Sequence, residues 1–548
     1  MTRPSLRLIV SLLGVVMLLA AGCSGGGESV EGEGLEEPLA DATDTPEAGS
    51  DTVDPWAAED DADDGGADDG DASTGGGGTF VAAIGQQPDQ LDPHVTTAYP
   101  SFQVLENVYD TLVVPNADTL EMESSLATDW EVSEDNLTWT FTLAEGVVFH
   151  DGSTFDAADV VYSYNRIIDE QLANAFRFGT VESVEAADPR TVVITLTEPT
   201  PNLLANIGGF KGMAILPEGA AEDYDLATEA VGTGPFALEG SSPSGLTLRA
   251  NPDYWGEAPS LDTVEFRWIS EPTTALTELQ TGGVHWTDNV PPQQIESLSG
   301  NDDVVLETVP SNDYWYWTAN FDREPFGDPL VREALALAID RDAITQAATF
   351  GAGTANQTAI PADSFWASDH APWTHDPERA RELLDEAGVA DLSMGLMVTD
   401  EFPQTVTAAE VIASQLGEVG IDVEIQTETF ATWLDRQGQG DYDAFMLGWL
   451  GNLDPFGFYH SQHLCEGSNN YQGYCNEEVD ALLTQAAVET DEDARRDLYN
   501  DAVEMIVDDG SYWYLYNPDV VQAWSPDVEG YTIRSDRAIN FETVSLNG

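Results

Sequence analysis

The sequence predicts α/β lobes built around mixed sheets. Three observations carry this reading. The chain has 548 residues, too many for a single core, so two or three lobes are expected. Its hydrophobic share is 42% with 14 Trp, enough apolar material for a large interior. From Thr79 onward, segments with helical spacing alternate with short apolar strands.

The elements follow in order. TFVAAIG from Thr79 is a short apolar strand, followed by the Pro-containing loop QQPDQLDPH. SFQVLENVYDTLV shows helical spacing at Phe102, Leu105, Val108 and Tyr109. Alternation at Leu137, Trp139, Phe141 and Leu143 marks a half-buried strand that Glu145 and Gly146 end. AADVVYSYNRII is a helix with Asp156 as its cap, because a carboxylate there accepts from otherwise orphaned backbone N–H groups. TVVITLTEP is another strand. Helices recur at PLVREALALAID, DPERARELLDEAG and TAAEVIASQLGEVG, the last two stopped by Gly388 and Gly420. Each of those two precedes a strand, LSMGLMVT and IDVEIQTE. No short internal repeat is present.

Charge narrows the function. There are 100 Asp and Glu against 18 Lys and Arg, a formal net charge of −82, and Lys211 is the only lysine. Such a surface repels nucleic-acid phosphates, which excludes that class of partner. It also suits a protein of concentrated salt, where counterions screen self-repulsion.

The amino terminus reads as an export signal. Arg3 and Arg7 precede an apolar run from Leu8 to Ala21 that is too short for a permanent membrane span. Its end, LLAAGC, resembles a bacterial lipobox and makes Cys23 the lipidated residue, although Ala20 stands where leucine is more usual. Residues 1–22 are thus expected to be a signal peptide. Residues 23–78 are then an acidic, Gly-rich tether with too little apolar surface to fold. Besides Cys23 there are Cys465 and Cys475, an even pair that in an exported chain reads as a disulfide. The alternative for this region is a metal site of His460, His463 and Cys465, for which no fourth ligand is evident.

Signatures of catalysis are missing. Apart from a GCSGG run at 22–26, outside any strand–helix turn pattern, there is no GxSxG elbow, and there is no HExxH, no Walker loop and no GxGxxG opening a helix. No catalytic residue, cofactor or metal is therefore assigned.

A series of segments carries a resemblance. In order they are LDPH (91–94), ENVYDTLV (106–113), FTLAEGVVFHDGSTFDAADVVYSYNR (141–166), VGTGPF (231–236), NPDYWG (251–256), VREALALAIDRDAI (331–344), DPERARELLDEAG (376–388), GDYDAFMLGW (440–449) and NNYQGYCNEEVDALL (469–483). Together they resemble the bacterial extracellular solute-binding family that includes dipeptide, oligopeptide and nickel binders of ABC importers. Gly152 and Gly234 within these segments read as turn glycines. Phe149, Trp139 and Tyr254 read as core.

The resemblance implies a two-lobed, periplasmic-binding-protein-like α/β clamp with mixed sheets and an extra small subdomain. Lobe I is expected over 79–117, 228–305 and 515–548, the small subdomain over 118–227, and lobe II over 306–514. It implies a monomer held by lipid at the outer face of the cytoplasmic membrane, extracellular or periplasmic, that captures a short peptide. The partners are an ABC permease and its ATPase subunits.

It also places the ligand site. In peptide-binding relatives, the strand ending in Gly-Trp leads into an aspartate that meets the peptide's amino terminus. Here that position is Asn452, between Trp449 and Asp454, and a neutral amide holds an ammonium less well than a carboxylate. Trp449 supplies a flat wall, and Tyr471 and Tyr474 lie in the matching downstream loop, with the Cys465–Cys475 bridge beside them. Tyr99 is a further candidate from the first lobe. In the cluster Tyr314–Trp317, alternation puts one pair inside and the other toward the cleft, with Trp315 and Trp317 the candidates for contact. An oligosaccharide, polyamine or metal chelate on the same scaffold remains open, as does a secreted hydrolase; ligand-dependent melting without turnover separates these.

Overall fold

The computed structural model describes residues 77–547, apart from 118, 210, 390, 391, 400, 451 and 452. The leader 1–22, Cys23, the tether as far as residue 76 and Asn452 therefore lie outside the described residues.

One sheet forms around the strand Thr79–Ile84. It runs parallel to both Thr263–Trp268 and Trp286–Thr287. Gly245–Ala250 and Phe236–Ser242 extend the sheet to its edge by antiparallel pairing. Thr79–Ile84 lacks polar alternation because both its faces are covered. Phe80, Ala82 and Ile84 pack into one apolar cluster, and Val81 and Ala83 into another.

A second sheet is centred on Tyr314–Ala319, which pairs antiparallel with Ala444–Trp449. Beyond it lie Ser393–Thr399 and Asp422–Glu428, parallel to each other and joined through the helix Pro403–Glu418. Parallel neighbours need such a crossover. Gly420, at φ +92°, ends it in a left-handed turn that a side chain would resist.

Between 127 and 196, four antiparallel strands, Ala127–Val132, Thr138–Leu143, Thr191–Leu196 and Val181–Asp188, form a small sheet of their own. Trp139, Phe141 and Leu143 point into its core, as the alternation predicts. The helix Ala157–Asp169 covers it. Its cap is Asp156, whose carboxylate accepts from the Ala158 N–H at 2.7 Å, while Asp159 accepts from the Asp156 N–H at 2.7 Å.

Three expectations are corrected. The helix near residue 100 runs only over Tyr99–Leu105. Beyond it the chain turns and is claimed by a neighbouring segment: Gly234 N–H donates to the Val108 carbonyl and Phe236 N–H to that of Asn107. Gly234 is accordingly not a turn glycine. A Cβ there would lie 2.6 Å from the Val108 backbone, and one on Gly232 would lie 2.1 Å from the Val108 oxygen, so VGTGPF needs glycine for close approach. Gly152, at φ +86°, is a turn glycine. Finally, Tyr314, Trp315, Tyr316 and Trp317 are all buried, none more than 5% exposed. Alternation does send the two pairs to opposite faces, but both faces carry cores.

Two chain segments connect the sheets. The strand Val305–Pro310 leads through 311–313 into Tyr314–Ala319. The long strand Trp513–Trp524 begins against Tyr314–Ala319 and finishes against Val305–Pro310 and Trp286–Thr287. The crossings are tied together: Ser311 Oγ donates to the Pro518 carbonyl at 2.7 Å, and Asn517 Nδ2 to that of Asp313 at 2.8 Å.

Candidate functional site

The junction of the two sheets gathers the polar groups that the cores exclude. In open sheets, ligands bind beyond the carboxyl ends of parallel strands, where side chains are free of the ladder. Trp286–Thr287 ends there, and Asp288 is the next residue. Tyr99 and Gln103, from the helix Tyr99–Leu105, reach the same place, together with Arg537 from the C-terminal segment.

The contacts on this side are specific. Gln103 Nε2 donates to Asp288 Oδ2 at 2.5 Å. Asp288 Oδ1 is buried and has no hydrogen-bond partner among the described residues. Burial pushes the Asp288 carboxyl up to about 6, against the Gln103 hydrogen bond and the more distant Arg537 charge, which favour ionisation. Arg537 Nη2 pairs with Asp313 Oδ2 at 2.6 Å. Arg537 has φ +61°, and its carbonyl accepts from the Tyr99 hydroxyl at 3.2 Å. A bulky residue held in the left-handed region is strained, and such strain gathers at functional sites.

The other side belongs to the second sheet. Trp449 pairs with Tyr314, the neighbour of Asp313, so it lies in register with the crossing. Gly448 is held against Trp315: a Cβ there would meet the indole at 2.7 Å. The Trp315 ring meets Phe402 edge-on at 5.7 Å, and Phe402 meets Phe430 at 5.5 Å. Trp449 is partly buried against a core cluster, and Leu450 beyond it is 54% exposed.

Asp454 is committed elsewhere. Arg495 grips it through Nη1–Oδ2 and Nη2–Oδ1, both 2.7 Å. Asp454 also accepts from the Phe456 N–H at 2.9 Å, opening the helix Phe456–His463. Arg495 lies over the Trp366 and Tyr499 rings at 5.0 and 5.2 Å and donates from Nε to the Ala486 carbonyl. Burial opposes the Arg495 charge, but the Asp454 carboxylate outweighs it and holds the guanidinium above its ordinary range. A carboxylate with two charge-assisted bonds has little left for a ligand.

The remaining sequence candidates separate by burial. Tyr99 and Tyr471 are both more than a third exposed. Tyr474 is buried and donates to Asp509 Oδ2 at 2.8 Å, so it serves packing. Trp317 is fully buried, 4.2 Å from the Trp513 ring, and Trp315 reaches the surface with only 5% of its area. Cys465 and Cys475 are bridged. His463 shares its nitrogens with Ser511 and Tyr514, and His460 Nε2 meets the Tyr499 hydroxyl. Burial pushes these imidazoles down to about 3 and about 4, so both are neutral at pH 7. Asp288, Gln103, Asp313, Arg537 and Phe402 were missed by sequence reasoning. One signal was available for Asp288: an acid directly after the apolar strand in VHWTD.

The chain is similar to known proteins in sequence and in fold. The family model described as bacterial extracellular solute-binding proteins, family 5 Middle, matches residues 121–470. A glutathione-binding protein of Salmonella paratyphi A is 30% identical over 485 residues, covering 85% of this chain and 94% of that protein. The dipeptide-binding protein of Escherichia coli is 28% identical over 508 residues, with the same coverage. Among solved structures, an ABC transporter-associated periplasmic binding protein of Helicobacter pylori in complex with the peptide STSA superposes with a TM-score of 0.73 at 27% identity. That likeness covers 86% of this chain and 99% of the other.

Proposed function

Because the chain belongs to the bacterial extracellular solute-binding proteins of family 5, we propose that it captures a short peptide between its two lobes and delivers it to the permease of an ABC importer. The observation that carries the peptide reading is the composition of the junction. Charged and amide groups of the first sheet, Asp288, Gln103 and Arg537, gather on one side, and Trp449 stands on the other, paired with Tyr314 beside the Asp313 that holds Arg537. A peptide presents both kinds of surface, a polar backbone with charged ends and apolar side chains. The relatives named for glutathione and dipeptide binding, aligned over 94% of their length, support the same ligand class.

In this reading lobe I comprises 79–117, 228–305 and 515–548, the subdomain 118–227, and lobe II 306–514. The crossings at 311–313 and 517–519, a few residues beyond the bounds at 305/306 and 514/515, are where closure bends the chain. Cys23 carries lipid, the acidic segment after it is a tether, and the folded part acts as a monomer outside the cytoplasmic membrane. Cys23→Ala should release the protein into the medium; a variant that stays membrane-bound would sink the anchor. The acid excess suits a saline habitat, so the melting temperature should climb between low and molar KCl, and a flat curve would argue against it.

The deciding experiment is a thermal-shift screen with dipeptides, tetrapeptides, glutathione, oligosaccharides and spermidine, followed by assay for turnover. A melting shift with peptides and no chemical change in them is expected. A neutral solute remains the second reading, favoured by the engagement of Asp454 with Arg495. A shift with oligosaccharides alone would establish it.

A further inference from the structure

A buried carboxylate normally has a cation or several donors, because losing hydration costs several kcal/mol. Asp288 departs from that rule in a particular way. Its Oδ2 is held by Gln103, which is itself only 2% exposed, so the orientation of the carboxylate is preset. Its Oδ1 is buried without a partner. Among the described residues, the arginine that acts on it, Arg537, is turned to Asp313 instead and forms no ion pair with Asp288. Of the three charges, Arg537 and Asp313 offset each other, which leaves Asp288 uncompensated.

The surroundings are rigid. Ile539 N–H donates to Glu106 Oε2 at 2.6 Å, Asn107 Nδ2 donates to the Ile539 carbonyl at 2.9 Å, and Arg534 pairs with Asp536 at 2.6 Å. The segment carrying Arg537 is thus fixed before any ligand arrives. Beside it, Tyr99 is 36% exposed and the Arg537 side chain 32%, while Asp288 itself is half-buried with Oδ1 covered. Across the junction, Asp454 is closed off by Arg495.

We propose that Asp288 is the ammonium-binding residue of this protein: Oδ1 accepts N–H donors from a primary ammonium at the end of the bound solute, beside Tyr99 and Arg537. This rests on the peptide reading for the identity of the solute, but the recognised group is the primary ammonium, which a polyamine also carries. An ammonium at Oδ1 supplies the missing charge and the missing donor together. It also provides a carboxylate without a cation where Asp454 is held by Arg495. At neutral pH the carboxylate is ionised, since burial raises it only to about 6.

The test is titration calorimetry on the parent protein and Asp288→Asn with four probes: alanyl-alanine, N-acetyl-alanyl-alanine, glutathione and spermidine. The asparagine keeps the shape and the Gln103 contact, and a circular-dichroism melt checks its fold. The parent should bind free-amine probes and discriminate against the acetylated dipeptide by about 30-fold or more, the range for removing one partner of a buried charge pair. Asp288→Asn should lose that discrimination. Equal binding of the free and acetylated dipeptides by the parent would overturn the assignment without any variant. Equal affinity of parent and Asp288→Asn for alanyl-alanine would do the same and leave the peptide reading standing. Binding of spermidine alone, lost in Asp288→Asn, would keep the assignment and overturn the peptide reading. Binding of none of the amine probes would overturn both.

Discussion

Asp454 and Asp288 are two carboxylates taken out of water in opposite ways. Asp454 reaches Arg495, 41 positions along the chain, and receives two bonds from it. Asp288 is held by the Gln103 amide and its own backbone N–H, and among the described residues no cation pairs with it. The first arrangement completes the fold and closes a position to ligands. The second leaves electrostatic demand unmet in the free protein, as a prepared binding site does. The contrast teaches that an acidic residue beside a cleft is informative only once its partners are known. In a chain with 100 acids, its presence alone says nothing.

The largest test of this contrast is Arg495→Ala. It strands Asp454 in the interior and removes the cation stacked on Trp366 and Tyr499. A loss of about 3–5 kcal/mol is expected in denaturant unfolding. A loss under 1 kcal/mol would mean that Asp454 can relax into water and is less committed than its geometry indicates.

Next in size is Trp449→Ala. On the proposed function Trp449 walls the ligand, so its loss should weaken binding by about 2–4 kcal/mol, read by calorimetry on the best thermal-shift hit. Unchanged affinity would move the ligand away from the Gly-Trp strand and toward the Asp288 side alone.

Acid separates the two regions further. His463 and His460, on the Asp454 side, have folded values of about 3 and about 4 against an ordinary 6.5. The unfolded chain takes up protons first, so their contribution is complete above pH 6.5 and is lost as pH falls toward 4 and 3. His463→Gln should make the acid side of the stability profile shallower by about 1–3 kcal/mol. An unaltered slope would show that His463 is not buried neutral.

The smallest effect is on Asp288 in the absence of ligand, and its sign is opposite. Its folded value is raised, so it costs stability as pH rises from the unfolded carboxyl range through about 6. Asp288→Asn should therefore be more stable than the parent at pH 7, by on the order of 1 kcal/mol, and no more stable near pH 3.5. A destabilised variant at pH 7 would show that Asp288 already has a counter-charge.

Much of the fold was legible because its causes are local. Asp156 caps a helix by reaching backbone two and three residues away, and Trp139, Phe141 and Leu143 mark one face by period alone. Gly152 and Gly420 take the left-handed turns that their neighbours demand. The order of the family segments added the two-lobed architecture.

What only the tertiary structure decided has a common physical reason: the deciding partner is distant in sequence. Alternation separated Tyr314 and Tyr316 from Trp315 and Trp317, but nothing local says that both faces of that strand are covered. The glycines of VGTGPF are explained by the backbone of Val108, more than a hundred residues earlier. Desolvation and Coulomb energy depend on what surrounds a group in space, so the sequence could name Asp288 and Asp454 only as acids. Packing brought Arg495 to one and left the other without a cation.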